Sequence, residues 1–478
     1  MLPSMPEHIA VAGPGAHGTG LAAPGGVLVF LLGTTLRVAL ALVNREASDD
    51  HLTVIEAMVK ENRIVGREEA FEGFQPKLYA AVVAGIGKLL PNPSRPNLNR
   101  AGQLVNCAAG VLTMLVAVRF LQRMGVSPKG RLLAFSFIAL NPALIGVSGQ
   151  ATNDAFVILF ASLALAQAYL YFRDGRGGNL LAMTLGAVLA SLSKGNGLVV
   201  PAVILPVWAV GLIRPWPGML PRRALFVHVA FFLAVFLGVV TWLGPYWTHF
   251  RRYGSPLVIN MEPPAFPKLL EETPVRRPGV RSVADAFLTF RLLDMLAEPM
   301  INDRPAGFPA HRTSFWSQVY GRSHFLHFEA WPTTWRWRHP LLLALGRTSL
   351  VLGLWPTGLL VAGLLRSLGS AWCRLSGDRR GERIASGGLL VTLAAWGYLA
   401  FGVVYALRYR DFSTMKPIFM FPGLLGFAAV FAGQYDRFRS RFRGHSAVLA
   451  ISDALCLLLL VCYVADVESL IIRLRWSY

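Results

Sequence analysis

The chain has 478 residues, of which 54% are hydrophobic and 15% charged, with a mean hydropathy of +0.48 and a formal net charge of +20. A soluble domain averages about a quarter charged residues and does not carry many separate apolar runs of about 18 or more. The figures exclude a soluble enzyme, a disordered chain and a secreted disulfide scaffold, and leave a polytopic, all-α membrane protein.

Residues 1–25 are rich in Gly, Pro and Ala and contain no Lys or Arg, so they lack the basic region of a secretory signal peptide and read as a flexible tail. The apolar run Gly26 to Asn44 follows as an uncleaved anchor. Further spans are expected at Leu104–Leu121, Leu132–Val147, Ala155–Phe172, Leu180–Ser193, Leu198–Ile213, Ala224–Leu243, Leu341–Leu365, Ala385–Leu407, Pro417–Phe431 and Ala447–Val464, about eleven in all. Prolines 142, 201, 206, 356 and 422 fall inside these runs, where neighbouring helices can satisfy the freed carbonyls. Leu78 to Leu90 is apolar but only about 13 residues long, which favours lying at the interface over crossing.

Parity agrees. If that segment does not cross, the short basic loops around Arg123, Arg176, Arg222, Arg379 and Arg439 all share one side with the N-terminus, as the positive-inside rule requires. Basic residues recurring at membrane edges also speak against nucleic acid as a partner. Cys107, Cys373, Cys456 and Cys462 lie in or beside apolar runs with no metal spacing and read as packing residues. The expected organisation is a tail (1–25), a transmembrane module (26–244) with a first external loop (45–103), a large external loop (245–340) and C-terminal transmembrane helices (341–478). That large loop mixes Pro and Gly with aromatic residues, and its Trp-rich end is expected at headgroup depth.

Chemistry-bearing residues gather at the external ends of the spans. Asp49, Asp50 and His51 follow the first span; two carboxylates and an imidazole there suit a general base or a divalent-cation site, while a plain helix cap is the competing reading. Gln75, Pro76, Lys77, Leu78 and Tyr79 open the short interfacial helix, where a proline is ordinary. Asn153 and Asp154 stand at the end of the third span, again with a cap as the alternative. Lys194, in a turn between two short spans, and Lys416, before Pro417, are external cations that invite an anionic partner or else snorkel to headgroups. Arg37, inside the first span, snorkels or pairs with a carboxylate in the bundle.

The order of these elements resembles the GT-C membrane glycosyltransferases, in particular the group holding protein O-mannosyltransferases and aminoarabinose lipid A transferases (glycosyltransferase family 39-like). The likeness covers about the first 215 residues well, and the remainder through the large loop and Lys416. It implies a GT-C-type bundle and an inverting transfer of sugar from a polyprenyl-phosphate donor to an acceptor hydroxyl of protein, lipid or glycan at the external face of the plasma (inner) membrane, with the N-terminus cytoplasmic. It further implies Asp49 or Asp50 as the base, Asp154 as a second acidic position, and Lys416, with Lys194 and Arg410, offsetting the lipid phosphate; His51, Gln75, Tyr79 and Asn153 complete the substrate-binding set. No cofactor is required beyond the divalent cation that Asp49, Asp50 and His51 leave open. Two positions depart from the family pattern: Pro76-Lys77 replaces a Pro-Pro, and Lys416-Pro417-Ile418 replaces an arginine-tyrosine. A transporter or lipid flippase is the alternative, although neither a two-fold repeat nor a series of mid-span carboxylates is evident.

Overall fold

The computed structural model describes residues 24–46, 50–213, 220–259, 282–300, 310–329, 335, 337–375, 386–409 and 413–476. Among them there is no strand, and eight helices are long and apolar enough to cross a membrane. They include α1 (Pro24–Val43), α4 (Arg95–Arg123), α7 (Asp154–Asp174) and α10 (Arg222–Leu243). α9 (Val199–Ile213) reaches the required length with the 3-10 turn before it. α15 (Pro340–Leu352) runs on into α16 (Leu354–Leu375), and α17 (Ser386–Tyr409) and α19 (Ser446–Trp476) complete the set.

Three of the eleven expected spans take another form. Leu132–Val147 is a broken helix, α5 (Pro128–Leu140) meeting α6 (Pro142–Ser148) at 47°. Pro142 cannot donate into the helix ladder, and Asn141 instead caps α6 by accepting from the Leu144 N–H at 3.1 Å. Leu180–Ser193 lies in α8 (Gly177–Ser193), only 17 residues long. It nevertheless returns the chain alongside α7, because Lys194 beyond its end meets Asp154 at the start of α7. Pro417–Phe431 begins as two 3-10 turns around Pro417 and Pro422 and becomes α-helical only from Leu424, in α18 (Leu424–Arg441).

The short apolar helix α3 (Leu78–Gly87) does not cross. Residues after it return to α2 (His51–Lys60) and the turn that follows: Lys88 donates to Asn62 at 2.6 Å and Arg95 to Glu56 at 2.5 Å. α2, α3 and the start of α4 therefore occupy one end of the bundle, the end at which α1 finishes.

Arg37 neither snorkels nor meets a carboxylate. It is 2% exposed, and its guanidinium donates to Gly33 O at 2.9 Å, Ala139 O at 2.6 Å and Ile138 O at 3.4 Å, so it takes up carbonyls left at the α5 break. Gly110 lets this happen, since a Cβ there would lie 2.3 Å from Ser148 Oγ and 3.1 Å from Arg37 Nε.

The described part of the large loop is mostly helical: α11 (Tyr246–Tyr253), α12 (Val283–Phe287), α13 (Leu292–Ala297) and α14 (Phe315–His324). Several of its aromatic residues pack inside the protein. Tyr320, Phe325 and Phe328 build a second core with Met295, Met300, Leu342 and Leu350, while Trp335 is 2% exposed and donates to Asn44 Oδ1 at 3.2 Å. These side chains bury against one another, which removes their apolar surface from water. The loop is stitched to α19 by Asp466, which accepts from the Leu326 N–H at 2.6 Å and pairs with His327 at 2.7 Å.

Candidate functional site

At the start of α2, Asp50 occupies the N-cap position without capping the backbone. One carboxylate oxygen accepts from the Thr53 hydroxyl and the other from the Phe71 N–H at 3.0 Å, which ties α2 to the turn leading into α3. His51 is buried, and its ring meets the edge of Tyr79 at 6.1 Å; Tyr79 in turn meets Phe156 of α7 at 5.3 Å. This ladder of rings joins the α2 end to the beginning of α7. The Tyr79 hydroxyl is buried with no hydrogen-bond partner, and burial raises its pKa, so the phenol stays protonated. Beside it, Lys77 donates to Gly73 O at 2.7 Å, and burial, opposed by Glu72, pushes its ammonium down to about 8. Gln75 is half-buried in the same turn, its backbone N–H bonded to Glu72 O.

α4 begins behind Ser94 with Pro96 in its first turn, a placement that costs no backbone hydrogen bond. Its first three to four turns present Asn99, Gln103 and Asn106, at steps of four and three residues and hence on one face. That face meets the segment 149–154. Asn106 donates to Gln150 O and Thr152 O, each at 2.6 Å, and Asn99 donates to Arg45 O at 3.0 Å. Gly102 permits the approach, since a Cβ there would lie 2.6 Å from the Tyr79 hydroxyl. Gln103 is fully buried with both amide atoms unpartnered, and the same holds for both amide atoms of Asn153, which is 2% exposed. Four unsatisfied amide atoms in a buried place are costly unless something else binds them.

Asp154 is no mere helix cap. Its Oδ1 meets Lys194 Nζ at 2.6 Å with both side chains largely buried, and Oδ2 accepts from Thr152 Oγ1 at 3.0 Å. Lys194 also stands over the Phe419 ring at 5.3 Å, and Asn196 donates to Phe419 O at 3.2 Å. Lys416, three residues before Phe419, is thus delivered to the same end of the bundle by the 3-10 turns. The large loop closes one flank: the Tyr246 hydroxyl donates to Ser191 O at 2.6 Å, and Arg67 donates to Ile259 O at 2.8 Å while lying over the Tyr253 ring.

The structure therefore brings Tyr79, Asn153, Asp154, Lys194 and Lys416 to one end of the bundle, with Asp50 and His51 joined to them through the ring ladder. Asp49 and Arg410 lie outside the described residues. Among the described residues, no three His, Cys, Asp or Glu side chains are placed to hold a metal ion, and both Asp50 oxygens are already engaged. Sequence reasoning passed over Asn99, Gln103 and Asn106, although a polar stripe at helical spacing leading into the run Leu104–Leu121 was there to be seen.

The sequence model of the dolichyl-phosphate-mannose-protein mannosyltransferase family matches residues 99–253, a stretch that begins at the polar face of α4 and takes in Asp154 and Lys194. No curated protein sequence matches the chain. Among solved structures, the Archaeoglobus fulgidus oligosaccharyltransferase in complex with Zn and sulfate is similar over 92% of this chain and 53% of its own, with a TM-score of 0.50 and 14% identity. The ArnT structure from Cupriavidus metallidurans bound to undecaprenyl phosphate is similar over 87% and 77%, with a TM-score of 0.36 and 16% identity. The S. cerevisiae protein O-mannosyltransferase Pmt1-Pmt2 complex bound to the sugar donor is similar over 51% and 36%, with a TM-score of 0.37 and 17% identity. The chain thus spans about half the length of the archaeal enzyme and less of the yeast one. It is a multi-pass membrane protein of the GT-C fold, all-α among the described residues, and its residues 99–253 are similar to the dolichyl-phosphate-mannose-protein mannosyltransferase family.

Proposed function

We propose that the chain transfers a sugar from a polyprenyl-phosphate donor to an acceptor hydroxyl, with inversion, at the external face of the plasma (inner) membrane. The observation that carries this reading is the largely buried Asp154–Lys194 pair, 2.6 Å long, set beside unpartnered amides at the end of the bundle to which Lys416 is delivered. A sugar presents hydroxyls that satisfy orphaned amide donors and acceptors. A lipid phosphate leaving group needs cations more than a proton donor, and Lys194 and Lys416 supply them as charge develops. The family match at 99–253 supports a dolichyl- or other polyprenyl-phosphate carrier.

In this reading a carboxylate at the start of α2, Asp50 or its neighbour Asp49, takes the acceptor proton as the hydroxyl oxygen attacks the anomeric carbon, and the sugar–phosphate bond breaks with its electrons going to the phosphate. Asp154 holds Lys194 in place, and Tyr79, Asn153 and Gln103 hold the sugar. The acceptor reaches the site past the large loop, which chooses it.

The test is release of polyprenyl phosphate from a small panel of polyprenyl-phosphate sugars by the purified protein in detergent, comparing wild type with Asp50→Asn and Asp154→Asn. Release by wild type that is lost in either variant supports the proposal. No release from any donor by folded protein, with acceptors present, overturns it.

A further inference from the structure

At the opposite end of the same two helices, about 16 residues or 24 Å along α4 from Gln103 and along α7 from Asp154, a cavity of about 350 Å³ opens. It is far from the residues assigned to transfer and is built differently. Its floor is apolar, with Val116 from α4 and Leu163 and Leu170 from α7, and its rim carries Arg119, Arg123 and Gln167. The two arginines are one turn apart on α4, so their side chains project from the same face within about 6 Å of each other. Both are exposed, and neither makes a hydrogen bond or ion pair with a described residue. Asp174, which feels the Arg123 charge, is gripped through both oxygens by Arg173 at 2.7 and 2.9 Å, so it leaves the rim cationic.

We propose that this cavity binds an anionic glycerophospholipid, its phosphate held between Arg119 and Arg123 and the start of an acyl chain lying on the floor between α4 and α7. The size suits such an occupant, since ligand cavities run from about 300 Å³ upward. Two guanidinium groups complement a phosphate diester, which can accept from both at once. The apolar floor selects a lipid over a free anion, because a hydrated phosphate gains nothing from Val116, Leu163 and Leu170. A zwitterionic lipid brings its own cation to the same rim and is repelled there.

The protein is reconstituted with equal phosphatidylglycerol and phosphatidylcholine, delipidated stepwise in detergent, and the retained lipid is measured by mass spectrometry. Wild type retains phosphatidylglycerol over phosphatidylcholine by roughly thirtyfold, as two cations near an anionic headgroup at about 1 kcal/mol each give. R119Q/R123Q loses the preference. Leu163→Trp, which keeps both charges and fills the floor, loses it as well, whereas R222Q/R223Q at the start of α10 keeps it. Retained preference in R119Q/R123Q overturns the proposal. So does equal loss in R222Q/R223Q, which would mean a general basic surface, or displacement of the lipid by excess inorganic phosphate, which would mean a free-anion site. None of these readouts depends on transferase activity, so the outcome stands apart from the function proposed above.

Discussion

Two buried acid–base pairs sit in this molecule at similar distances, Asp154 with Lys194 at 2.6 Å and Asp466 with His327 at 2.7 Å, and their surroundings separate them. Asp466 is saturated: one oxygen holds the His327 ring, the other the Leu326 N–H, and next to them His324 is held between the Tyr463 and Thr357 hydroxyls. That arrangement fastens the large loop to α19. Asp154 and Lys194 instead lie among the idle amides of Gln103 and Asn153, with Lys194 turned over an aromatic ring at the mouth of the bundle. His327 Nε2 is also buried without a partner, so what separates the two pairs is that both Asp466 oxygens bind the loop it fastens, while Asp154 and Lys194 are neighboured by amides with neither atom engaged.

The sharpest way to break this comparison is to exchange the phenotypes. Asp154→Asn is expected to cut polyprenyl phosphate release, measured per folded protein, by about 10²–10³-fold, the range seen when one preorganised electrostatic group is lost. If release survives, the first pair is structural too. Asp466→Ala leaves a buried imidazole and a backbone N–H without their acceptor and is expected to cost about 1–3 kcal/mol of stability, read as a drop in thermal midpoint in detergent. Unchanged stability there would remove the distinction from the other side.

Acid should act on the loop region first. Burial pushes His324 down to about 3, and burial with the charges of Arg312 and Arg322 pushes His311 down to about 4, both from 6.5. Between pH 6.5 and those values the unfolded chain binds protons that the folded chain refuses. The contribution of both rings is therefore whole above pH 6.5 and drains away as pH falls toward 3 to 4. Thermal midpoints measured from pH 7.5 to 4.5 should fall, and His324→Gln should flatten the slope. The smallest and most discriminating effect is expected from Gln103→Leu. Removing unpartnered buried amide atoms should raise stability by about 1 kcal/mol while weakening donor use roughly tenfold in KM. Lower stability with unchanged KM would mean that Gln103 is satisfied within the protein.

Much of the bundle was legible in the sequence because hydropathy reports burial in lipid directly. Where the reading missed, backbone geometry was the reason. The 47° turn at Asn141-Pro142 and the 3-10 entry around Pro417 and Pro422 lie inside runs whose composition is that of a plain span. The Lys194 and Lys416 ends of the site stood out as cations beside apolar helices, and Asp154 as a carboxylate at a span boundary. Its Lys194 partner did not, because a contact across 40 residues depends on α7 and α8 folding back on each other. The inward packing of Tyr320, Phe325 and Phe328 was hidden for a related reason: composition cannot tell an aromatic residue at the membrane surface from one in a core closed upon itself. Asp466, just past the apolar run Ala447–Val464, was passed over as well, because its partner lies 139 residues upstream.

Arg37 carries a consequence for how the protein is made. A charged side chain in the middle of a helix costs about 2.5–3.5 kcal/mol on insertion. The carbonyl that Arg37 holds most tightly, that of Ala139, lies 102 residues further along the chain. The first helix must therefore enter the bilayer before its own compensation has been synthesised, drawn in by the Leu and Val that surround the arginine, and wait as an unsettled segment until the broken helix arrives. Assembly is ordered by that delay: α1 locks only when α5 has been threaded beside it, and a chain released earlier would leave an arginine facing lipid, a ready signal for quality control.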